Sequence, residues 1–182
     1  MKHVSDTKQR ILDAYRDDLA ERGISRVTLE SVAARARVSK GGLLYHFPTK
    51  QALTEGLAER LRTYTDANLA RAHTDGAART FLETSVPDPT EAGHYWVVIN
   101  AVHADSEAVS QRTRQILHDV FDDWSERLHD EVDDPVLADI IRLVGDGLYL
   151  ATVTGLPTPT PARTRAVIER LIEAASGTTS TP

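Results

Sequence analysis

Residues 38–50 read VSKGGLLYHFPTK. Two adjacent glycines, Gly41 and Gly42, open what the pattern makes one of the shortest helices of the chain. Ser39 can cap it, and Pro48 closes it near His46 because the residue before a proline avoids the α region. Each glycine costs about 1 kcal/mol of helix propensity relative to alanine. Either the glycines relieve a crowded helix crossing or mark a loop, or they let the helix backbone lie close to something outside the chain.

The flanking segments have helical period. From Asp6 to Arg22, the residues Ile11, Leu12, Tyr15, Leu19 and Ala20 recur at three- and four-residue spacing, and Gly23 provides the stop. Thr28 can cap a second helix, Leu29 to about Ala36, with Glu30 in its first turn and Val32 and Ala33 on its buried stripe. After a short turn at Arg35–Val38 comes the glycine-led helix. Thr49 then caps a long helix in which Leu53, Leu57, Leu61 and Tyr64 keep the period to about Ala72. Further helices are expected over 77–84, 91–104, 106–130, 135–154 and 162–175, divided by turn chemistry at 74–76, 86–90, 132–135 and 155–161. Sustained strand alternation is missing, so the expected class is all-α with about nine helices. The polar tail 176–182 is expected to be disordered.

Composition sets the frame. The 182 residues, 41% of them hydrophobic, can bury a core, and no cysteine is available for disulfides or thiolate metal sites. No window approaches the length of a membrane span and the N-terminal residues are polar, so the expected location is cytoplasmic, without a membrane partner. The net charge of −6 is unevenly placed: residues 1–50 hold ten Lys/Arg against six Asp/Glu, and the remainder eleven against twenty-one. A basic N-terminal module on an acidic body follows.

Two short helices joined by a tight turn, with one helix before and a long one after, describe a helix-turn-helix, whose second helix enters the major groove by its N-terminal end. Small residues at Gly41 and Gly42 suit a backbone pressed against a sugar-phosphate rail. Thr28, Arg37, Ser39, Lys40, Tyr45, His46 and Lys50 surround that helix with hydroxyls, cations and a phenol, the groups that contact phosphate oxygens. Backbone N–H groups at the helix starts near Thr28 and Thr49 offer further phosphate donors.

These residues carry a resemblance. From about Thr7 to Leu61 the chain resembles the DNA-binding domain of the tetracycline-repressor (TetR) family of bacterial regulators, with the order and spacing of ILDAYRDDLAERGISRVTLESVAARARVSKGGLLYHFPTKQALTEGL matching the family pattern. The resemblance implies that Thr28 and Lys50 grip phosphates, that Ser39, Lys40, Gly41, Gly42, Leu43 and Leu44 face the groove, and that Tyr45 and His46 flank the backbone. Tyr15 stands where the family often has phenylalanine. The implied organisation is a three-helix DNA-binding head, residues 1–50, followed by a helical ligand-binding and dimerisation body, residues 51–175. The implied function is that of a ligand-responsive repressor, binding a palindromic double-stranded DNA operator as a homodimer and released by a small molecule.

The body adds its own pattern. Over 135–154, Val136, Leu137, Ile140, Ile141, Leu143, Val144, Leu148 and Ala151 cover more than half of the helix circumference, too wide for one buried face. One side should pack within the subunit and another on a second copy. The stretch LVGDGLYLATVTGL, 143–156, is similar to one that contributes to the dimer in many family members. Ile140, Val144, Leu148, Val167, Ile168 and Leu171 are the candidate dimer contacts, with a fully internal helix as the alternative.

An effector site is expected in a partly apolar cavity lined by some of Tyr64, Asn68, Phe81, Trp96, Asn100, His103, Phe121 and Tyr149. Asn100 and His103 beside Trp96 could orient a small planar ligand, or be a satisfied core pair next to a structural indole. His118 and Asp122 have the spacing of two metal ligands on one helix turn, which raises a helical metal-dependent hydrolase as an alternative. The apolar residues of that helix turn His118, Asp122, Glu126 and His129 outward, as expected of a solvated acidic face. Phosphate loops and nucleophile elbows are missing, so neither a catalytic residue nor a cofactor or metal is assigned. A body that binds a protein partner instead of a small ligand is the other alternative.

Overall fold

The computed structural model describes residues 2–87, 96, 98–102 and 107–177. Among them there are eight complete helices and no strand: α1 (Lys2–Arg22), α2 (Leu29–Arg35), α3 (Lys40–His46), α4 (Lys50–Asp75), α5 (Ala77–Thr84), α6 (Gln111–Glu131), α7 (Pro135–Thr154) and α8 (Pro161–Ala175). Residues 96 and 98–102 are helical too, and the rest of the helix expected over 91–104 lies outside the described residues.

Caps explain most of the boundaries. Ser31 N–H donates to Thr28 Oγ1 (3.1 Å) while Thr28 N–H donates to Ser31 Oγ (3.2 Å), a reciprocal box at the start of α2. Ala52 N–H donates to Thr49 Oγ1 at 3.0 Å to start α4. Asp134 accepts from Val136 N–H at 2.9 Å, with Pro135 in the first turn of α7. The helix expected from Ser106 begins instead at Gln111, because Ser110 is its cap: Thr113 N–H donates to Ser110 Oγ at 3.0 Å. Residues 107 and 108 form a turn before it. α1 starts earlier than Asp6 and α4 ends later than Ala72.

The chain divides into two compact units. The first comprises residues 1–62 and 93–118. α1 packs on α2 and α2 on α3, and within this unit Ile11, Tyr15, Val32, Leu43, Leu53 and Val98 have no exposed surface. α1 also meets α4, where Arg60 donates to Asp13 Oδ1 (2.9 Å) and Gln9 Oε1 (3.0 Å). Their approach requires Gly56, since a Cβ there would stand 2.8 Å from Leu12 Cδ2 and 2.9 Å from Phe47 Cε1.

The second unit comprises residues 63–92 and 119–182. α5 packs against α7 and α8 over a core that includes Leu82, Leu128, Ala138, Ile141, Ile168 and Ile172. Phe81 lies 5.2 Å from Trp124 between ring centroids, and its ring fills the place of the missing Gly145 side chain, where a Cβ would come within 2.4 Å. α5 lacks a cap from its own preceding residue, Gly76. Glu131 at the end of α6 supplies one, accepting from Ala77 N–H at 2.6 Å.

Candidate nucleic-acid interface

α2 and α3 form the expected pair of short helices. The α1–α2 junction is fixed by Asp18, a buried carboxylate that accepts from Ser31 Oγ at 2.6 Å and faces Arg35 Nε at 2.9 Å. Arg35 is in turn held by Glu21 at 2.8 Å. The Ser31 and Glu21 hydrogen bonds, with the Asp18–Arg35 ion pair, hold α2 as the platform on which α3 sits.

At the start of α3, Gly42 N–H donates to Ser39 Oγ at 3.0 Å. A Cβ on Gly41 would meet no atom within 4 Å, and one on Gly42 would meet only the Ser39 hydroxyl at 3.2 Å and Val38 Cβ at 3.9 Å. Among the described residues neither glycine relieves a helix crossing, which speaks against the first explanation offered for them. The crowded glycines are Gly56 and Gly145, each in mid-helix, where the only sequence signal is a helix-weakening residue in a periodic run.

The candidate DNA-facing residues separate by exposure. Tyr45 is 81% exposed, its ring in edge contact with His46 at 5.1 Å. Thr28, Arg37, Ser39, Lys40 and Gly41 are exposed, while Gly42, Leu44, His46 and Lys50 are half-buried. Leu43 is 0% exposed and corrects the expectation that it faces the groove. Of the two adjacent leucines, it is the one that lies on the inner side and anchors α3 to the core.

Two cations have partners. Lys40 Nζ lies 2.6 Å from Glu30 Oε1, joining the first residue of α3 to the first turn of α2. That hydrogen bond holds the Glu30 carboxyl below the usual carboxylate range. Lys50 donates to the Ile24 carbonyl, and burial pushes its ammonium below the usual lysine value. An ammonium has three N–H donors, so the Ile24 contact leaves two others. The donors expected near Thr28 and Thr49 are partly committed, Ser31 N–H to Thr28 and Ala52 N–H to Thr49.

The expected effector residues fall in both units. Trp96 and Asn100 belong to the first, and Tyr64, Asn68, Phe81, Phe121 and Tyr149 to the second. Asn100 is exposed and its amide donates to the Trp96 carbonyl one turn back (3.0 Å), so it is not an inward-facing polar group. His103 lies outside the described residues. Phe81 is core packing, and Phe121 and Tyr149 are half-buried. Arg142 lies over the Phe121 ring at 5.9 Å and approaches Asp146 at 3.8 Å, while burial raises the Asp146 pKa.

α7 is apolar on two sides. Ala138, Ile141 and Gly145 are buried within the unit, whereas Val136 (63%), Ile140 (42%), Leu143 (71%) and Leu150 (43%) are exposed. The exposed four follow helical spacing, with Gly147 on the same line and nothing near it. A fully internal helix does not describe this pattern. Among the candidate dimer contacts, Ile140 and Val167 are exposed, and Val144, Leu148 and Leu171 pack partly on the core. Ile168 is corrected to a residue of this chain's own core.

His118, Asp122, Glu126 and His129 of α6 are exposed. His129 Nε2 lies 3.1 Å from Asp139 and its Nδ1 2.8 Å from the Ser125 carbonyl. Among the described residues no three His, Asp or Glu side chains converge as a metal site.

Among proteins of known name, the chain is 33% identical over 88 residues to the nucleoid occlusion factor SlmA of Glaesserella parasuis, covering 46% of this chain and 44% of that protein. It is 32% identical over 71 residues to the HTH-type transcriptional regulator TtgR of Pseudomonas putida, covering 39% and 33%. The matched part thus spans less than half the length of these relatives. Among solved structures, the multidrug binding protein EbrR complexed with malachite green aligns with a TM-score of 0.64 at 25% identity, over 90% of this chain and 96% of that one. Salmonella enterica GusR shares the fold, with a TM-score of 0.66 at 16% identity over 94% and 96%. Residues 11–57 match the description of bacterial regulatory proteins of the tetR family. A second description, the tetracyclin repressor-like C-terminal domain, runs over residues 75–176. Since that match takes in more than half of the chain and the head matches separately, the chain belongs to the tetracycline-repressor (TetR) family.

Proposed function

We propose that this protein is a dimeric, ligand-responsive transcriptional repressor. The observation that carries the reading is the exposed start of α3. Gly41 has open space where a side chain would be, Lys40 and Tyr45 are exposed beside it, and Leu43 secures the opposite side. A helix so anchored can lay its backbone against a duplex. Thr28, Ser39, Tyr45, His46 and Lys50 then hold phosphates, while Lys40, Gly41, Gly42 and Leu44 face the groove. The head spans residues 1–50 and the body residues 51–175.

Pairing of two copies through the exposed side of α7, with α8, would present two α3 helices to one face of a palindromic operator. The body takes a small effector, and coupling is reciprocal: effector binding favours a spacing of the heads unsuited to the operator, and DNA weakens effector binding by the same factor. EbrR, bound to malachite green in its solved structure, supports an aromatic small molecule as the first effector class to try. The regulator carries no catalytic step. No helix among the described residues is long and apolar enough to cross a membrane, and a DNA partner puts the site of action in the cytoplasm.

Selection of bound fragments from genomic DNA tests the reading. The expected result is a shared inverted repeat with half-sites one helical turn or a multiple apart; no enrichment over input overturns it. Malachite green raising the melting temperature and releasing the recovered fragment would support the effector class, and a screen of dyes that leaves both unchanged would remove it.

A further inference from the structure

We infer that Arg37, in the turn between α2 and α3, is held in a strained backbone conformation for the sake of its guanidinium, which docks on a DNA phosphate beside the recognition helix; the inference rests on the DNA-binding reading above.

The turn is closed by two hydrogen bonds. Arg37 N–H donates to the Ala34 carbonyl at 3.2 Å and Val38 N–H to the Ala33 carbonyl at 3.0 Å. This pairing at a helix C-terminus places the residue after the cap in the left-handed region, and Arg37 has φ 54°. A side chain with a Cβ is disfavoured there, which is why glycine usually takes the position. The other left-handed residues described in this chain obey that preference: Gly23, Gly76, Gly155 and Gly177. Residue 37 is the exception.

The backbone bonds hold the turn, but among the described residues no side-chain contact of Arg37 offsets the exception. The Arg37 side chain is exposed, and among the described residues its guanidinium has neither a hydrogen bond nor an ion pair. The neighbouring cations differ, with Arg35 tied to Asp18 and Lys40 tied to Glu30. Strained conformations persist where the surroundings over-determine them, and they cluster at functional sites. Here the surroundings are the end of α2 and the Ser39 cap of α3, two residues on. A free guanidinium at that place stands next to the end of α3 that enters the groove. The acceptors a duplex presents at its rim are phosphate oxygens, which the guanidinium fork binds in bidentate fashion.

The test compares Arg37→Gly, Arg37→Asn and Arg37→Lys in the full chain, using thermal melting and titration of a mixed-sequence duplex three helical turns long at several salt concentrations. Such a duplex suffices because a phosphate contact carries no base information. Arg37→Gly should melt roughly 1–3 °C higher, since the strain is relieved. It should also bind about three- to tenfold more weakly, with a salt dependence shallower by about 0.9 per subunit. Arg37→Asn, which tolerates the left-handed region, should lose binding to the same extent, and Arg37→Lys should keep the salt dependence.

Unchanged affinity and salt dependence in Arg37→Gly would overturn the inference, as would a lower melting temperature. A loss confined to particular base sequences at unchanged salt dependence would also overturn it, in favour of a base contact. A wild-type chain that binds no duplex at low salt sinks the DNA-binding reading with it, whereas wild-type binding with an indifferent Arg37→Gly variant sinks this inference alone.

Discussion

The Tyr15 hydroxyl lies 2.7 Å from Thr54 Oγ1, with both side chains fully buried where α1 meets α4. Thr54 also donates to the Lys50 carbonyl at 3.1 Å. The phenol therefore sits in the core of the first unit with its polar end satisfied, and the helix that carries Lys50 is tied to α1 through it.

Tyr15→Phe should fold and cost about 0.5–1.5 kcal/mol, because Thr54 keeps its carbonyl partner and no buried group is orphaned. The pH dependence gives a sharper signature. Burial pushes the Tyr15 pKa up to about 12 from an ordinary value of 10.0. The neutral phenol is favoured in the fold, so its contribution is intact below about pH 10 and is lost as the pH climbs towards 12, to a total of about 2–3 kcal/mol. Urea denaturation of both proteins between pH 8 and 11.5 should show the wild-type advantage shrinking and reversing. Parallel curves would mean that Tyr15 ionises as easily folded as unfolded.

The glycines allow a paired test. Gly41→Ala meets open space and gains helix propensity, so it should stabilise the chain by about 0.5–1 kcal/mol. Gly56→Ala forces a Cβ between Leu12 and Phe47 and should destabilise by about 1–3 kcal/mol. DNA binding should rank the other way. Gly41→Ala weakens it by bringing a methyl group to the duplex, while Gly56→Ala, where still folded, binds normally. A Gly41→Ala protein that is stabler and binds unchanged would remove the close approach of α3 to DNA.

The head was readable because its decisive features are local. Thr28, Ser39, Thr49 and Pro48 set helix ends through neighbours three or fewer residues away, and those ends lie where expected to within a residue. What sequence could not supply depends on which side of a helix faces inward. Leu43 and Leu44 are adjacent and chemically alike, yet only the first is fully buried. By sequence Asn100 is a polar group beside an indole, but its amide turns back onto its own helix. Ser106 and Ser110 are equally good caps by type, and the choice of Ser110 follows from its hydrogen bonds to Thr113. The left-handed Arg37 had no signal at all, since nothing in its identity announces a positive φ.

Glu30 stands in the first turn of α2, where the helix dipole favours an acid, and its contact with Lys40 gives it a second role. An acid holding the first cation of α3 competes with DNA for that cation. Glu30→Gln should leave folding essentially unchanged, because the pair is exposed. Releasing Lys40 should tighten binding to mixed-sequence DNA at low salt by up to about fivefold, a small change because solvent screens an exposed pair. Fluorescence anisotropy with a labelled duplex reads the change. Weaker binding would instead make Glu30 a direct contact, one that accepts from a base amino group.

The exposed side of α7 separates an interface from a core by two substitutions. Leu143 is 71% exposed, so Leu143→Glu puts a charge in water in the single chain and should not impair folding. If a second copy covers that face, the same charge is buried without a partner, once from each subunit under twofold symmetry, and the dimer is destabilised by several kcal/mol. Ile168→Glu gives the contrast, since Ile168 lies in the chain's own core and the variant should unfold or precipitate. Sedimentation velocity and circular dichroism on both proteins distinguish the cases. The expected outcome is a helical, soluble Leu143→Glu monomer that binds DNA only weakly, alongside an Ile168→Glu protein that lacks a cooperative melt. A Leu143→Glu dimer of wild-type size would show that the second copy does not sit on α7, and the pairing of recognition helices would need another surface.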